Sequence, residues 1–155
     1  MVKQQASARQ TVKAIRPSAD APLGQVSIDL IEFSTRTGEM QKTLSKCKYA
    51  VVFVDGFSRY KYCVPIQRKG DTLMAMQKFV QQVGLPKSIL TDWGSEFEGA
   101  FSDYCTDKSI TVVRSCPYRA WQNGLVERGN KELKLLTKCM LVDADMPPAF
   151  WGQAL

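Results

Sequence analysis

Residues Tyr49–Ile66, YAVVFVDGFSRYKYCVPI, decide the fold. Tyr49–Val54 is an unbroken apolar run and reads as a strongly buried strand. Asp55-Gly56 supplies a tight turn, and Arg59–Ile66 reads as the strand that returns beside it. Upstream, Val26, Ile28 and Leu30 alternate with Ser27, Asp29 and Ile31. That is the pattern of a strand with one buried face and Asp29 on the other. Three strands in succession predict an antiparallel meander.

Helices enter on the far side of this stretch. Leu73, Met76, Phe79 (or Val80) and Val83 recur at helical spacing over Asp71–Val83, where Gly84 ends the helix and Pro86 forbids its continuation. Ser88–Thr91 (SILT) is a short buried strand that delivers Asp92 at its C-terminal end. A short helix over 95–105 puts Phe97, Phe101 and Tyr104 on one face, and Ile110–Val113 is a fifth strand. A long helix follows over 123–143, Pro147-Pro148 breaks it, and AFWGQAL starts another apolar helix. The order β-β-β-α-β-α-β-α-α predicts an α/β domain: a mixed five-stranded sheet flanked by helices.

The 155 residues suffice for one domain with a sizeable core. Residues 1–22 are polar and basic and read as a flexible arm or linker, either a solvated tail or an arm that contacts DNA. Residues 23–155 form the domain, which ends inside an element as a fragment of a longer protein would. No membrane partner is expected, since no stretch is long and apolar enough to span a bilayer, and no signal peptide is visible, so an intracellular protein is expected. A net charge of +6 and pI near 9.1 favour an acidic partner. The five cysteines form no CxxC pair and read as reduced, mostly buried thiols. There is no histidine, which excludes Cys2His2 zinc sites and histidine-based triads and leaves carboxylates or a lone thiol for any catalysis.

Two features carry chemistry. On the long helix, Lys131, Lys134 and Lys138 follow Glu127 at i+4, i+7 and i+11, in one narrow stripe. Leu125, Val126, Gly129, Leu133, Leu136 and Met140 are expected on the opposite, core-facing side. A row of ammonium groups repels itself unless an anion lies along it; a phosphodiester backbone would fit, and a solvated helix face is the plainer alternative. The second feature is a set of acids: Asp29 within a strand, Asp92 at a strand end and Glu127 beside a glycine-containing loop. Each alone is ordinary. Together, three carboxylates without histidine suit Mg2+ or Mn2+ better than zinc.

Those acids lie within motifs that resemble the catalytic core of retroelement integrases, the Asp-Asp-Glu retroviral integrase superfamily. The motifs are TDWGSEF, CPYRAWQNGLVER and NKELK, and 34 residues separate Asp92 from Glu127, close to the family spacing. VDGFSRYKYCVPI and PPAFWGQAL resemble copia-type LTR retrotransposons in particular. Trp93 replaces the family's usual Asn and Arg114 its usual His, and neither a zinc-binding N-terminal domain nor a C-terminal DNA-binding domain is evident.

The resemblance implies a ribonuclease-H-like fold and a polynucleotidyl transferase that inserts element DNA into a target. It implies Asp29, Asp92 and Glu127 as catalytic ligands of two Mg2+ or Mn2+ ions. Asn130, Lys131 and Lys134 would meet DNA, joined by Lys138 from the helix stripe, with Tyr118 and Asn123 in a loop, Pro117 to Gly124, over the site. DNA ends and target DNA would be partners, the protein would self-associate, with Phe150 and Trp151 exposed for the purpose, and it would work in the host nucleus. A non-integrating nuclease of the same fold and a decayed or domesticated DNA-binding module are the alternatives.

Overall fold

The computed structural model describes residues 20–33, 42–115 and 120–155. Five strands form one sheet: β1 (Val26–Glu32), β2 (Tyr49–Asp55), β3 (Lys61–Ile66), β4 (Ser88–Thr91) and β5 (Thr111–Arg114). Their spatial order is β3-β2-β1-β4-β5. The β1–β2 and β2–β3 pairs are antiparallel, and β1–β4 and β4–β5 are parallel, so the expected meander and mixed sheet are both present. Among the described residues three α-helices, α1 (Thr72–Gln82), α2 (Ala100–Asp107) and α3 (Ala120–Asp143), accompany the sheet.

The sheet is covered on both faces. On one, Val26, Ile28, Val51, Phe53 and Ile89 pack with Met76 and Phe79 of α1 and Phe101 and Cys105 of α2. The Phe53 and Phe79 rings stack at 4.5 Å. On the other, Ile31, Val52 and Val54 pack with Val126 of α3 and with Trp151. β1 is therefore buried on both sides and not on one as its alternation implies. Ser27 is 4% exposed on the α3 side, where its small side chain accommodates close packing. Gly84, after α1, has φ of +131°, and a Cβ there would stand 2.8 Å from the Leu23 side chain, so only glycine fits. The β2–β3 turn is held by Asp55, whose carboxylate accepts bonds from the Leu23 and Ser58 amides and the Ser58 hydroxyl. Burial opposes its charge, but these donors outweigh it and hold its pKa below the ordinary carboxylate value.

Three expectations need correcting. First, α3 begins at Ala120, so Asn123 and Gly124 lie in helical backbone and not in a loop. Second, its buried line runs through Val126, Asn130 and Thr137, with Leu133 and Leu141 half-buried. Leu136 and Met140, expected in the core, are 51% and 55% exposed. The line tolerates two polar residues because both are bonded: Asn130 to Asp29, and Thr137 to the Leu133 carbonyl at 2.7 Å. α3 packs mainly on β1, β2 and the C-terminal turn, so Leu136 and Met140 have no layer to cover. Third, the C-terminal helix is a single 3-10 turn, Pro148–Phe150, and Trp151 is buried, its ring stacked on Phe33 at 4.3 Å. Trp151 is thus core and not an exposed contact, and Phe150 is half-buried.

Among the described residues no helix is long and apolar enough to cross a membrane. Residues 1–19 of the basic arm lie outside the described residues.

Candidate active site

Strand register brings the first two acids together. β1 and β4 run parallel and pair only at Val26–Ile89 and Ser27–Leu90. Asp29 and Asp92 each lie two residues beyond the last pair, at the C-terminal side, where the strands part. In parallel α/β sheets a crevice of this kind, outside the carboxyl ends of the strands, is where ligands bind. β1 is also the strand at which pairing changes from antiparallel to parallel.

α3 supplies the third acid. Gly129 lets the helix lie close to the sheet: a Cβ there would meet Val54 at 3.3 Å and the Lys61 stem at 3.4 Å. Next to it Asn130, 8% exposed, donates from Nδ2 to Asp29 Oδ2 at 2.6 Å. Glu127 precedes Asn130 by three residues, hence by about one turn on the same side of the helix. Asp92 and Glu127 are both exposed, whereas Asp29 is half-buried.

The electrostatics follow from this placement. Burial raises the Asp29 pKa above the ordinary value, and the charges of Asp92 and Glu127 raise it further. The Leu30 amide, at 2.8 Å from Oδ1, and the Asn130 amide act in the opposite direction. So Asp29 lies within electrostatic reach of both other acids. The Asn130 Oδ1 is buried and has no hydrogen-bond partner among the described residues.

A loop fixes Asp92. Its Oδ1 accepts the Gly94 amide at 3.0 Å. Arg114, at the end of β5, donates to the Asp92 carbonyl at 2.9 Å, the Phe97 carbonyl at 2.8 Å and Thr91 Oγ1 at 3.2 Å. Sequence reasoning singled out Arg114 only as a departure. Its role in tying the Asp92 loop to β5 follows from the parallel pairing of Thr91 with Arg114, which the residues alone did not signal.

The other candidates divide. Lys131 and Lys138 are exposed and Lys134 is half-buried, on the solvent side of α3. Asn130 is not on that surface; its helix position turns it toward Asp29. Tyr118 lies outside the described residues, as does the Asn123 side chain. The thiols do not serve as nucleophiles at neutral pH where burial is strong: it pushes Cys63 and Cys105 up to about 11.

An all-oxygen donor set of three acids, one of them half-buried and raised in pKa by the other two, fits a hard divalent cation. The side chains do not close into a cage themselves: among the described residues no group of three or more His, Cys, Asp or Glu could hold a metal.

Residues 19–120 match the model of the integrase core domain family. A retrovirus-related Pol polyprotein from transposon TNT 1-94 of Nicotiana tabacum is 29% identical over 135 residues, covering 83% of this chain and 10% of that protein. The Pro-Pol polyprotein of Simian foamy virus type 3 is 30% identical over 110 residues, covering 69% of this chain and 9% of the relative. The chain thus spans about a tenth of the curated relatives it matches. Among solved structures, the HTLV-2 integrase catalytic core domain in complex with magnesium, in a trimeric form, superposes with TM-score 0.66 at 26% identity, covering 86% of this chain and 83% of that one. The simian T-cell lymphotropic virus intasome structure gives 0.69 at 25% identity, covering 86% and 47%. With a mixed five-stranded sheet of ribonuclease-H-like type and a family match over residues 19–120, the chain belongs to the integrase core domain family.

Proposed function

We propose that this domain is an integrase catalytic core that cleaves phosphodiesters and joins element DNA ends to a target in a divalent-metal-dependent reaction. The observation that carries the proposal is that half-buried Asp29, beyond the last β1–β4 pair, feels the charges of both Asp92 and Glu127. In this reading the three carboxylates hold two Mg2+ or Mn2+ ions, as the magnesium in the HTLV-2 core favours. When bound, the ions supply activation of the attacking hydroxyl and stabilisation of the leaving 3′-oxygen. Asn130 orients Asp29 by its 2.6 Å bond. Arg114 and the Gly94 amide hold the Asp92 loop in register with it. Lys131, Lys134 and Lys138 run along α3 from Glu127 at one residue per turn, a spacing of about 5–6 Å that suits successive phosphates. Self-association belongs to this reading, supported by the exposed row Leu135, Leu136, Met140 and Val142 on α3.

A second reading, a DNA-binding module without catalysis, draws on the separation of the three acids. A strand-transfer assay run in reverse, on DNA pre-joined as the integration product and with Mn2+, separates the two: only the catalytic reading predicts resolution of the joint. DNA binding itself is tested on the helix. Lys131→Ala with Lys134→Ala should weaken binding across sequences and lower the log–log salt slope by roughly two units. Stability should hardly change, since neither lysine is a core residue. An unchanged slope would show that the row is only solvated.

A further inference from the structure

The Asp92 loop carries a second feature that its acid does not explain. Trp93 is 63% exposed, although burying an indole is among the largest apolar gains a side chain offers. It is nevertheless not loose. Its Nε1–H donates to the Ser115 carbonyl at 2.7 Å, and Arg114, the residue before, ties the same loop through the Asp92 and Phe97 carbonyls. The ring is therefore anchored by its polar edge while much of its surface stays in water, next in sequence to Asp92. Its neighbours Gly94 and Ser95 are small, so little flanks the ring in sequence. An anchored, exposed aromatic surface beside phosphodiester chemistry has the properties of a stacking platform, which every nucleobase fits because each has a π face.

We infer that Trp93 stacks an unpaired base of the DNA strand next to the scissile phosphodiester, and so acts as a positioning residue for the substrate end. The inference rests on the nucleic-acid reading above and deepens it. It also couples two unusual residues: Arg114 and Trp93 together fix one loop to the end of β5, the first by its guanidinium to the loop's carbonyls and the second by its indole N–H to the Ser115 carbonyl.

The test measures binding of the whole chain to two duplexes in Ca2+, one with a short single-stranded thymidine overhang and one with the same overhang made abasic. The parent should prefer the base-bearing duplex. Trp93→Ala should weaken binding to it by roughly 5- to 150-fold per stacked base and leave the abasic duplex and the salt slope unchanged. Trp93→Phe keeps an aromatic face, loses the indole N–H and should retain most of the preference. Equal losses on both duplexes, no loss, or a Phe variant as weak as the Ala variant would each overturn the inference. Failure of the parent to bind either duplex would remove the nucleic-acid reading together with it; normal, salt-dependent parental binding without a Trp93 effect removes the stacking role alone.

Discussion

Asp92→Asn should lower metal-dependent DNA cleavage by at least about a thousandfold, because one metal-ligating carboxylate contributes several kcal/mol to transition-state charge stabilisation. The fold should survive. Asp92 is exposed, lies outside β4, and its side chain accepts one backbone amide that an Asn oxygen can also accept. DNA binding should survive as well, since the proposed contacts, Lys131, Lys134 and Lys138, lie on α3 and are untouched. Cleavage rates and circular dichroism of the variant against the parent check this. Activity within tenfold of the parent would remove Asp92 from the mechanism.

The second large effect is on stability. Trp151→Ala should cost about 3–5 kcal/mol in urea unfolding, the range for truncating a large buried aromatic. Trp151 is 1% exposed, stacks on Phe33 with the rings 11° from parallel, and shares a cluster with Ile31, Ala50, Val52, Val54 and Val126. The loss reaches the site indirectly: Ile31 and Phe33 belong to and follow the strand that carries Asp29. A loss below about 1 kcal/mol would mean that the C-terminal turn is an accessory to the core.

These cases also show how far the residues alone speak. The apolar run of β2, the Asp55-Gly56 turn and the α1 period are local signals, and the elements they predict are present. The parallel pairing that sets Asp29 beside Asp92 is not local, yet two strands reached through helices imply it. Burial on the second face of β1 was not legible, because Ser27 is polar and its burial depends on where α3 lies. The same cause misplaced Leu136 and Met140: a helical wheel ranks faces by apolarity, whereas the buried face is the one the sheet reaches, and there Asn130 donates to Asp29 and Thr137 to the Leu133 carbonyl. Trp151 looked exposed because its partner, Phe33, is more than a hundred residues away in sequence. Asn130 was legible only through the family resemblance, as a DNA contact, and its bond to Asp29 needed the packing of α3 on β1.

The central claim is that Asp29, Asp92 and Glu127 share a divalent cation. A titration with Mn2+ followed by electron paramagnetic resonance, on the parent and on Asp29→Asn, Asp92→Asn and Glu127→Gln variants, addresses it without requiring turnover. Burial and the charges of Asp92 and Glu127 oppose ionisation of Asp29, which a shared cation would relieve, so the parent should bind Mn2+, and each single variant should weaken that binding at least about tenfold, the equivalent of about 1.4 kcal/mol. Equal Mn2+ affinity in the parent and all three variants would contradict the account.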